Sequence, residues 1–253
     1  MTKESIDTLR VERDSLAGAL AERSAQLEAV TKEFEQFTQT VSHDLRAPLR
    51  ALEGFSQILM EDYGEKLDAD GTRCVQTLVA SARKASSLLD DLHTYSRWCR
   101  KPFQPVVVNM EKLAAQKAEE LKLDGATANF NIGPLPEAWG DPDMLDAIWQ
   151  QLLGNAVKFT KGRKSPAIEV SGRCENGNTI YTVQDNGAGF DPKYASRLFG
   201  VFQRLHDEKE FEGRGIGLAT VQRLVHRHGG KTWAEGEVNA GATFSFSLSA
   251  RPL

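Results

Sequence analysis

Between residues 6 and 41 the chain repeats apolar residues at alternating steps of three and four. The series is Ile6, Leu9, Leu16, Leu20, Leu27, Val30, Phe34, Phe37 and Val41, and only Arg13 and Arg23 break the seam. A sustained 3.5-residue period is the pattern of a coiled coil, in which each helix buries one narrow stripe against a partner. No other feature narrows the possible folds as much. The N-terminal part must be a long helix, and that helix must be accompanied. The stripe runs on through Leu45, Leu49, Leu52 and Leu59. The step from Val41 to Leu45 is a second consecutive four, which interrupts the heptad phase. His43 falls inside that interruption and off the seam, so it is expected to face solvent.

A polar stretch, "EDYGEKLDADG" (61–71), stops the pattern, and a second stripe follows through Val75, Leu78, Ala82, Ala85, Leu89 and Leu92. Two amphipathic helices with a short connection make an antiparallel helical hairpin. One hairpin buries two apolar stripes poorly, whereas two hairpins make a four-helix bundle. A homodimer is therefore expected. A purely structural coiled coil accounts for the heptads but leaves "HDLRAP" (43–48) unexplained. "KPFQP" (101–105), with two prolines, reads as the linker that ends the helical region.

Beyond the linker, strands alternate with helices. "VVVN" precedes a helix near 110–122, "TANFNI" reads as a strand, and a helix spans about 141–160. The strands "AIEVSG" and "TIYTVQD" follow, then a long irregular segment. A helix near 215–228 and the strands "KTWAEG" and "ATFSFSLS" complete the chain. Helices on one side of a mostly antiparallel sheet make an α+β sandwich. The boundaries expected are 1–38 for a coiled-coil signalling helix, 39–103 for the hairpin and 104–253 for the sandwich.

A net charge of −4 gives no reason to expect nucleic acid or an anionic membrane as partner. The cysteines, Cys74, Cys99 and Cys174, are scattered and form no CxxC pair, which fits a reducing compartment and argues against a metal or disulfide framework. No apolar run approaches the roughly 20 residues that cross a bilayer, and the N-terminus has no signal-peptide core. A cytoplasmic protein is expected.

Three stretches of the second region bear on chemistry. "QQLLGNAVKFT" (150–160) places Asn155 and Lys158 nearly one helical turn apart. An amide oxygen can ligate Mg²⁺ while a lysine sits near phosphate oxygens. "DNGAGF" (185–190) ends a strand; Asp185 can accept a hydrogen bond from an exocyclic amine, and Gly187 and Gly189 let backbone approach a flat base. "GRGIGLA" (213–219) leads glycines into a helix, whose first N–H groups suit phosphate. Each alone has an ordinary structural explanation. Their order within about sixty residues, downstream of a histidine-bearing dimerisation hairpin, is hard to obtain by chance.

From residue 39 onward the chain resembles the sensor histidine kinases of two-component signalling. The resemblance implies a sandwich of the GHKL (Bergerat) ATP-binding type, with ATP and Mg²⁺ as ligands. His43 matches the phospho-acceptor box, with Asp44 expected to accept the ring's other N–H. Neighbours on an ideal helix point about 100° apart, so suitable rotamers or distortion ahead of Pro48 must bring the two groups together. Asn155 matches the Mg²⁺-binding box, followed by Lys158 and Phe159, and Asp185 matches the adenine-reading residue, with Gly187 and Gly189. "LFGVFQRLH" (198–206) resembles the phenylalanine box of a mobile lid, through Phe199, Phe202 and Arg204. Gly213, Gly215, Gly217 and Leu218 match the phosphate-binding glycines, and Thr243 the closing "GATFSFSL" strand. The implied reaction moves the γ-phosphoryl group of ATP to His43 and then to an aspartate of a response regulator. An upstream sensor is expected to act through the N-terminal coiled coil.

Two alternatives remain, a hydrolytic ATPase of the same nucleotide fold and a non-catalytic dimeric scaffold. In the gyrase, mismatch-repair and chaperone ATPases a glutamate four residues before the metal-binding asparagine activates water. Here that place is Gln151, which is no general base and favours phosphotransfer. His43, Asn155, Asp185 and the glycines of "GRGIG" are all intact, against a degenerate scaffold. A further departure is Ala47, stacked one turn after His43, where many relatives carry Thr or Asn to position a water against the partner's phospho-aspartate. Alanine cannot do so. Little acceleration of phospho-regulator decay is expected, and Ala47→Thr should gain that activity. Following the decay with ADP present checks this; a wild-type acceleration of about tenfold, 1.4 kcal/mol of barrier, contradicts it.

Overall fold

The computed structural model describes residues 3–175, 177–206 and 210–249. Up to residue 12, and at several coiled-coil positions as far as residue 38, the description covers backbone only; the seam side chains of Ile6, Leu9, Leu20, Leu27, Phe34 and Phe37 lie outside the described residues. The chain divides into two compact units, Met1–Ser96 and Arg97–Leu253.

In the first unit a single helix, α1 (Lys3–Tyr63), runs unbroken through Pro48. Proline there lacks the N–H that would reach the Asp44 carbonyl one turn back. The expected polar loop is shorter than its composition suggested. Helix α1 continues to Tyr63, a 3₁₀ turn covers Gly64–Lys66, and α2 (Ala69–Arg100) follows at once. Asp68 ends the turn and accepts the Gly71 N–H at 2.7 Å, satisfying one of the free donors of the new helix. Across the hairpin, Arg46 pairs with Asp90 (3.0 Å) and Arg83 with Glu53 (2.7 Å), which fixes the antiparallel register. The hairpin buries Val75 and Ala82 but leaves Leu45, Leu52, Phe55, Ile58, Leu59 and Leu78 exposed. None of the described helices is long and apolar enough to cross a membrane.

The second unit begins with a short antiparallel pair, β1 (Val106–Val108) and β3 (Ala138–Gly140), the latter a strand that no sequence pattern announces. Its main sheet joins β2 (Asn129–Ile132), β4 (Ala167–Glu175), β5 (Asn178–Asp185), β6 (Thr232–Glu237) and β7 (Gly241–Ser249) in the order β2-β4-β5-β7-β6. Only the β2–β4 pair is parallel. Helices α3 (Met110–Leu123), α4 (Pro142–Thr160) and α5 (Gly217–Arg227) supply the other layer. The α4 stripe of Leu145, Ile148, Trp149, Leu152, Leu153 and Ala156 packs against Val170, Tyr181, Val183, Phe244 and Phe246 of the sheet. Trp149 meets Tyr181 and Phe246 edge-on, with ring centroids at 6.0 and 5.6 Å. A 3₁₀ segment at Pro192–Arg197 interrupts what the sequence suggested was irregular throughout.

The start of α4 is anchored with unusual density. Asp141, nearly inaccessible to solvent, accepts from the Asp143 and Met144 N–H groups at 3.1 Å, from Gln104 N–H at 3.1 Å and from Lys101 Nζ at 2.7 Å. Burial alone would raise its pKa, but Lys101 and the Gln104 and Met144 amides outweigh that and hold the carboxyl below its ordinary value. The Asp141 N–H itself donates to Nε2 of buried His228 at 3.0 Å, and His228 Nδ1–H donates to the Leu224 carbonyl at 2.7 Å. That tautomer is neutral, in keeping with a pKa lowered by burial. Asp141→Ala removes the cap and the buried partner of Lys101, which keeps only the exposed Asp143 at 2.8 Å, and is expected to cost about 2–3 kcal/mol in urea denaturation followed by tryptophan fluorescence. Because the native pKa is depressed, the wild-type advantage is present above the ordinary aspartate value and should fade as pH falls through the native one.

Candidate functional site

In the first unit, His43 stands clear of the helix, with 83% of its side chain exposed. Its Nδ1 lies 3.1 Å from Asp44 Oδ1. The rotamers alone close the angle between neighbouring positions, since the helix is continuous here. A carboxylate can only accept, so Nδ1 carries the proton and Nε2 is left with its lone pair. Ala47 is exposed, and Ser42 is buried beside the histidine on the inner face.

In the second unit, the core packing of α4 turns Gln151, Asn155 and Lys158 toward the opposite, partly exposed face. Asn155 makes no side-chain hydrogen bond to another described residue. Lys158 Nζ lies 4.3 Å from the Phe159 ring centroid. Burial lowers its pKa, the nearby Arg204 charge lowers it further, and Glu212 opposes both. Asp185, at the end of β5, is only 3% exposed. Burial pushes its pKa up to about 6, against the N–H groups of Gly187 and Ala242 and the charge of Arg163. The Gly187 N–H bond to Oδ1 is 2.8 Å.

The loop after Asp185 admits no side chains at its glycines. A Cβ on Gly187 would stand 2.5 Å from the Phe159 carbonyl oxygen. Gly189 has φ +63°, and a Cβ there would lie 1.8 Å from the Glu237 carbonyl oxygen. This close backbone approach explains the motif better than an ordinary turn does. Gly213 stands against Lys158 Nζ, Gly215 against the Phe202 and Gln203 backbone, and Gly217 opens α5 facing Gln151 Oε1. Leu218 packs on the edge of the core.

The structure thus gathers Gln151, Lys158, Phe159, Arg204 and the three glycines of residues 213–217 around one end of α4. Two expectations change. Thr243 lies opposite Gln184 and Glu235, on the sheet face away from Asp185, because side chains alternate along a strand. Ala242 takes the place opposite Asp185, and its N–H binds the carboxylate. The phenylalanine pair also separates: Phe199 is buried in the core, while Phe202, with φ +59°, is 43% exposed. The rings that do cluster are Phe159, His206 and Phe211, with centroids 5.0–5.3 Å apart. Sequence reading missed His206, Phe211, Ala242 and Arg163. Their roles depend on contacts between distant segments, and only the "GA" before Thr243 hinted at any of them.

The donor set also tests the metal. Among the described residues, no cluster of His, Cys, Asp or Glu could hold an ion. One free amide oxygen, from Asn155, fits a Mg²⁺ that arrives with a nucleotide and keeps phosphate and water oxygens as its other ligands.

Comparison with known proteins identifies two domains. Residues 35–98 match the family model of the His Kinase A (phospho-acceptor) domain, and residues 140–252 that of the histidine kinase-, DNA gyrase B- and HSP90-like ATPases. The chain belongs to the sensor histidine kinases and carries their phospho-acceptor and ATPase-type domains. Among its relatives, phytochrome-like protein Cph1 of Synechocystis sp. is 32% identical over 92% of this chain and 31% of its own length. The methanogenesis regulatory histidine kinase FilI of Methanothrix harundinacea is 34% identical over 91% of this chain and 26% of its own. The crystal structure of full-length ShkA in complex with AMPPNP is 28% identical, with a TM-score of 0.57, over 86% of this chain and 47% of that one. The chain spans about a third or less of the curated relatives it matches.

Asp185 also has a cost for stability. A carboxyl whose native pKa is raised stabilises the fold fully below the unfolded value and loses that contribution as pH rises through about 6. At neutral pH the ionised group therefore costs about 3 kcal/mol. Asp185→Asn should recover part of this. Without nucleotide, urea denaturation should show the variant more stable than wild type at pH 8, with the gap closing toward pH 4.

Proposed function

We propose that this chain is an ATP-dependent protein-histidine kinase core that phosphorylates its own His43 and passes the phosphoryl group to an aspartate of a response regulator. The observation that carries the reading is the tautomer imposed at His43. Asp44 holds the Nδ1 proton, so the exposed Nε2 offers its lone pair as nucleophile. On attack, an N–P bond forms at Nε2 as the bond from γ-phosphorus to the β–γ bridging oxygen breaks, and ADP leaves. In the second step a regulator carboxylate oxygen attacks phosphorus and the N–P bond breaks, returning neutral imidazole.

In this reading Asp185 accepts the exocyclic amine of adenine, a donor it lacks in its buried site, and the 187–189 loop admits the flat base. Asn155 would hold Mg²⁺, which when bound neutralises charge on the phosphate oxygens. Lys158, Arg204 and the N–H groups at the start of α5 surround the same oxygens. Gln151 stands where hydrolytic relatives place a glutamate and cannot activate water, so transfer is favoured over hydrolysis.

The exposed Leu45, Leu52, Phe55 and Leu59 support a homodimer, whose second hairpin would cover them in a four-helix bundle. Residues 1–38 then relay a signal from an upstream sensor, 39–103 accept the phosphoryl group and 104–253 supply it. Three free cysteines suit the reducing cytoplasm.

With γ-labelled ATP, the wild type should acquire an acid-labile, base-stable label. His43→Gln should lose it while keeping nucleotide affinity, since the ring is exposed and packs against nothing. Label persisting on that variant, or phosphate release with no labelled wild-type protein, contradicts the proposal.

A further inference from the structure

The three carbonyls of the Gly187–Gly189 loop are each taken by a donor from a different segment. The Gly187 oxygen accepts from Arg163 Nη2 at 2.7 Å, in the turn after α4. The Ala188 oxygen accepts from the Asn239 N–H at 2.7 Å, in the β6–β7 turn. The Gly189 oxygen accepts from His206 Nε2–H at 2.9 Å, in the lid segment. Arg163 differs from the other two. The same Nη2 also reaches the Asn239 carbonyl at 2.8 Å, so one guanidinium ties the loop to the turn it rests on. It is also a cation near a buried carboxylate whose other partners, the Gly187 and Ala242 amides, are neutral.

We propose that Arg163 is a positioning residue of the base-binding site: it holds the Gly187–Gly189 loop on the β6–β7 turn and supports the negative charge of Asp185 for an exocyclic amine. The inference rests on the adenine-nucleotide reading above. A purely structural staple would need only a donor between two carbonyls. A staple that also carries charge ties the shape of the base pocket to the ionisation of its reader. The groups around that carboxylate divide accordingly: the Gly187 and Ala242 N–H groups bind it directly, Arg163 acts by charge, and His206 acts on the far end of the same loop.

The pH dependence of AMPPNP binding to the full chain, measured by calorimetry, separates the two roles. For the wild type, affinity should rise with pH through a midpoint near 6, as Asp185 loses its proton. Arg163→Met, neutral and similar in length, should move that midpoint to higher pH and weaken binding on the order of tenfold at pH 7. Arg163→Lys keeps the charge but presents a single head group to two carbonyls. It should keep the wild-type midpoint while binding more weakly. A folded Arg163→Met variant with an unchanged midpoint overturns the proposal. If that variant does not fold, Arg163→Gln, a neutral single donor, is read in the same way. Failure of the wild type to bind AMPPNP overturns the nucleotide reading itself, and the inference with it.

Discussion

Helix α4 is held by one face, and the second unit depends on that constraint. Its stripe from Leu145 to Ala156 is buried against the sheet, with Trp149 set edge-on against the stacked rings of Tyr181 and Phe246. Asp141 locks its first turn. A helix so fixed cannot rotate about its axis without opening the core. Gln151, Asn155 and Lys158, at spacings of four and three, therefore stay on the free face where the glycine segments meet them. The same packing that stabilises the fold also sets the direction in which the polar groups point.

The site works against the fold elsewhere. A carboxylate as buried as Asp185 is expensive when ionised, and the neighbouring amides and Arg163 offset that only in part. In the function proposed above, the donor that would complete this group comes from the ligand. Lys158, with its pKa lowered by burial and by Arg204, is the cationic counterpart. Two groups of opposite charge are each held short of full compensation, and a polyanion with an amine-bearing base would complete both. The hairpin is the opposite case, because His43 is exposed and needs only Asp44 to define which nitrogen is free.

The comparisons place the chain in a family whose members extend well beyond it, two to three times longer or more. What the two units share with these relatives is the phospho-acceptor helix pair and the nucleotide sandwich. The departures at Ala47 and Gln151 are read from this chain's own residues. Gln151 now has a place, facing the first residue of α5, where a glycine leaves room for its amide.

The sequence alone carried whatever depends on spacing along one element: the long N-terminal helix, the solvent-facing histidine, the amide and lysine one turn apart, and the glycine loops. These patterns are local, because helix and strand geometry convert spacing directly into direction. It misjudged the length of the polar loop before α2, missed β3 and named Thr243 where the strand's period of two puts the neighbouring Ala242 on the face of Asp185. Only the tertiary structure could bring Arg163, Asn239 and His206 to the carbonyls of one loop, or show that Phe199 belongs to the core and Phe202 to the surface. Those contacts join segments far apart in the chain, and no periodicity records them. Their existence depends on how the helices and the sheet pack together.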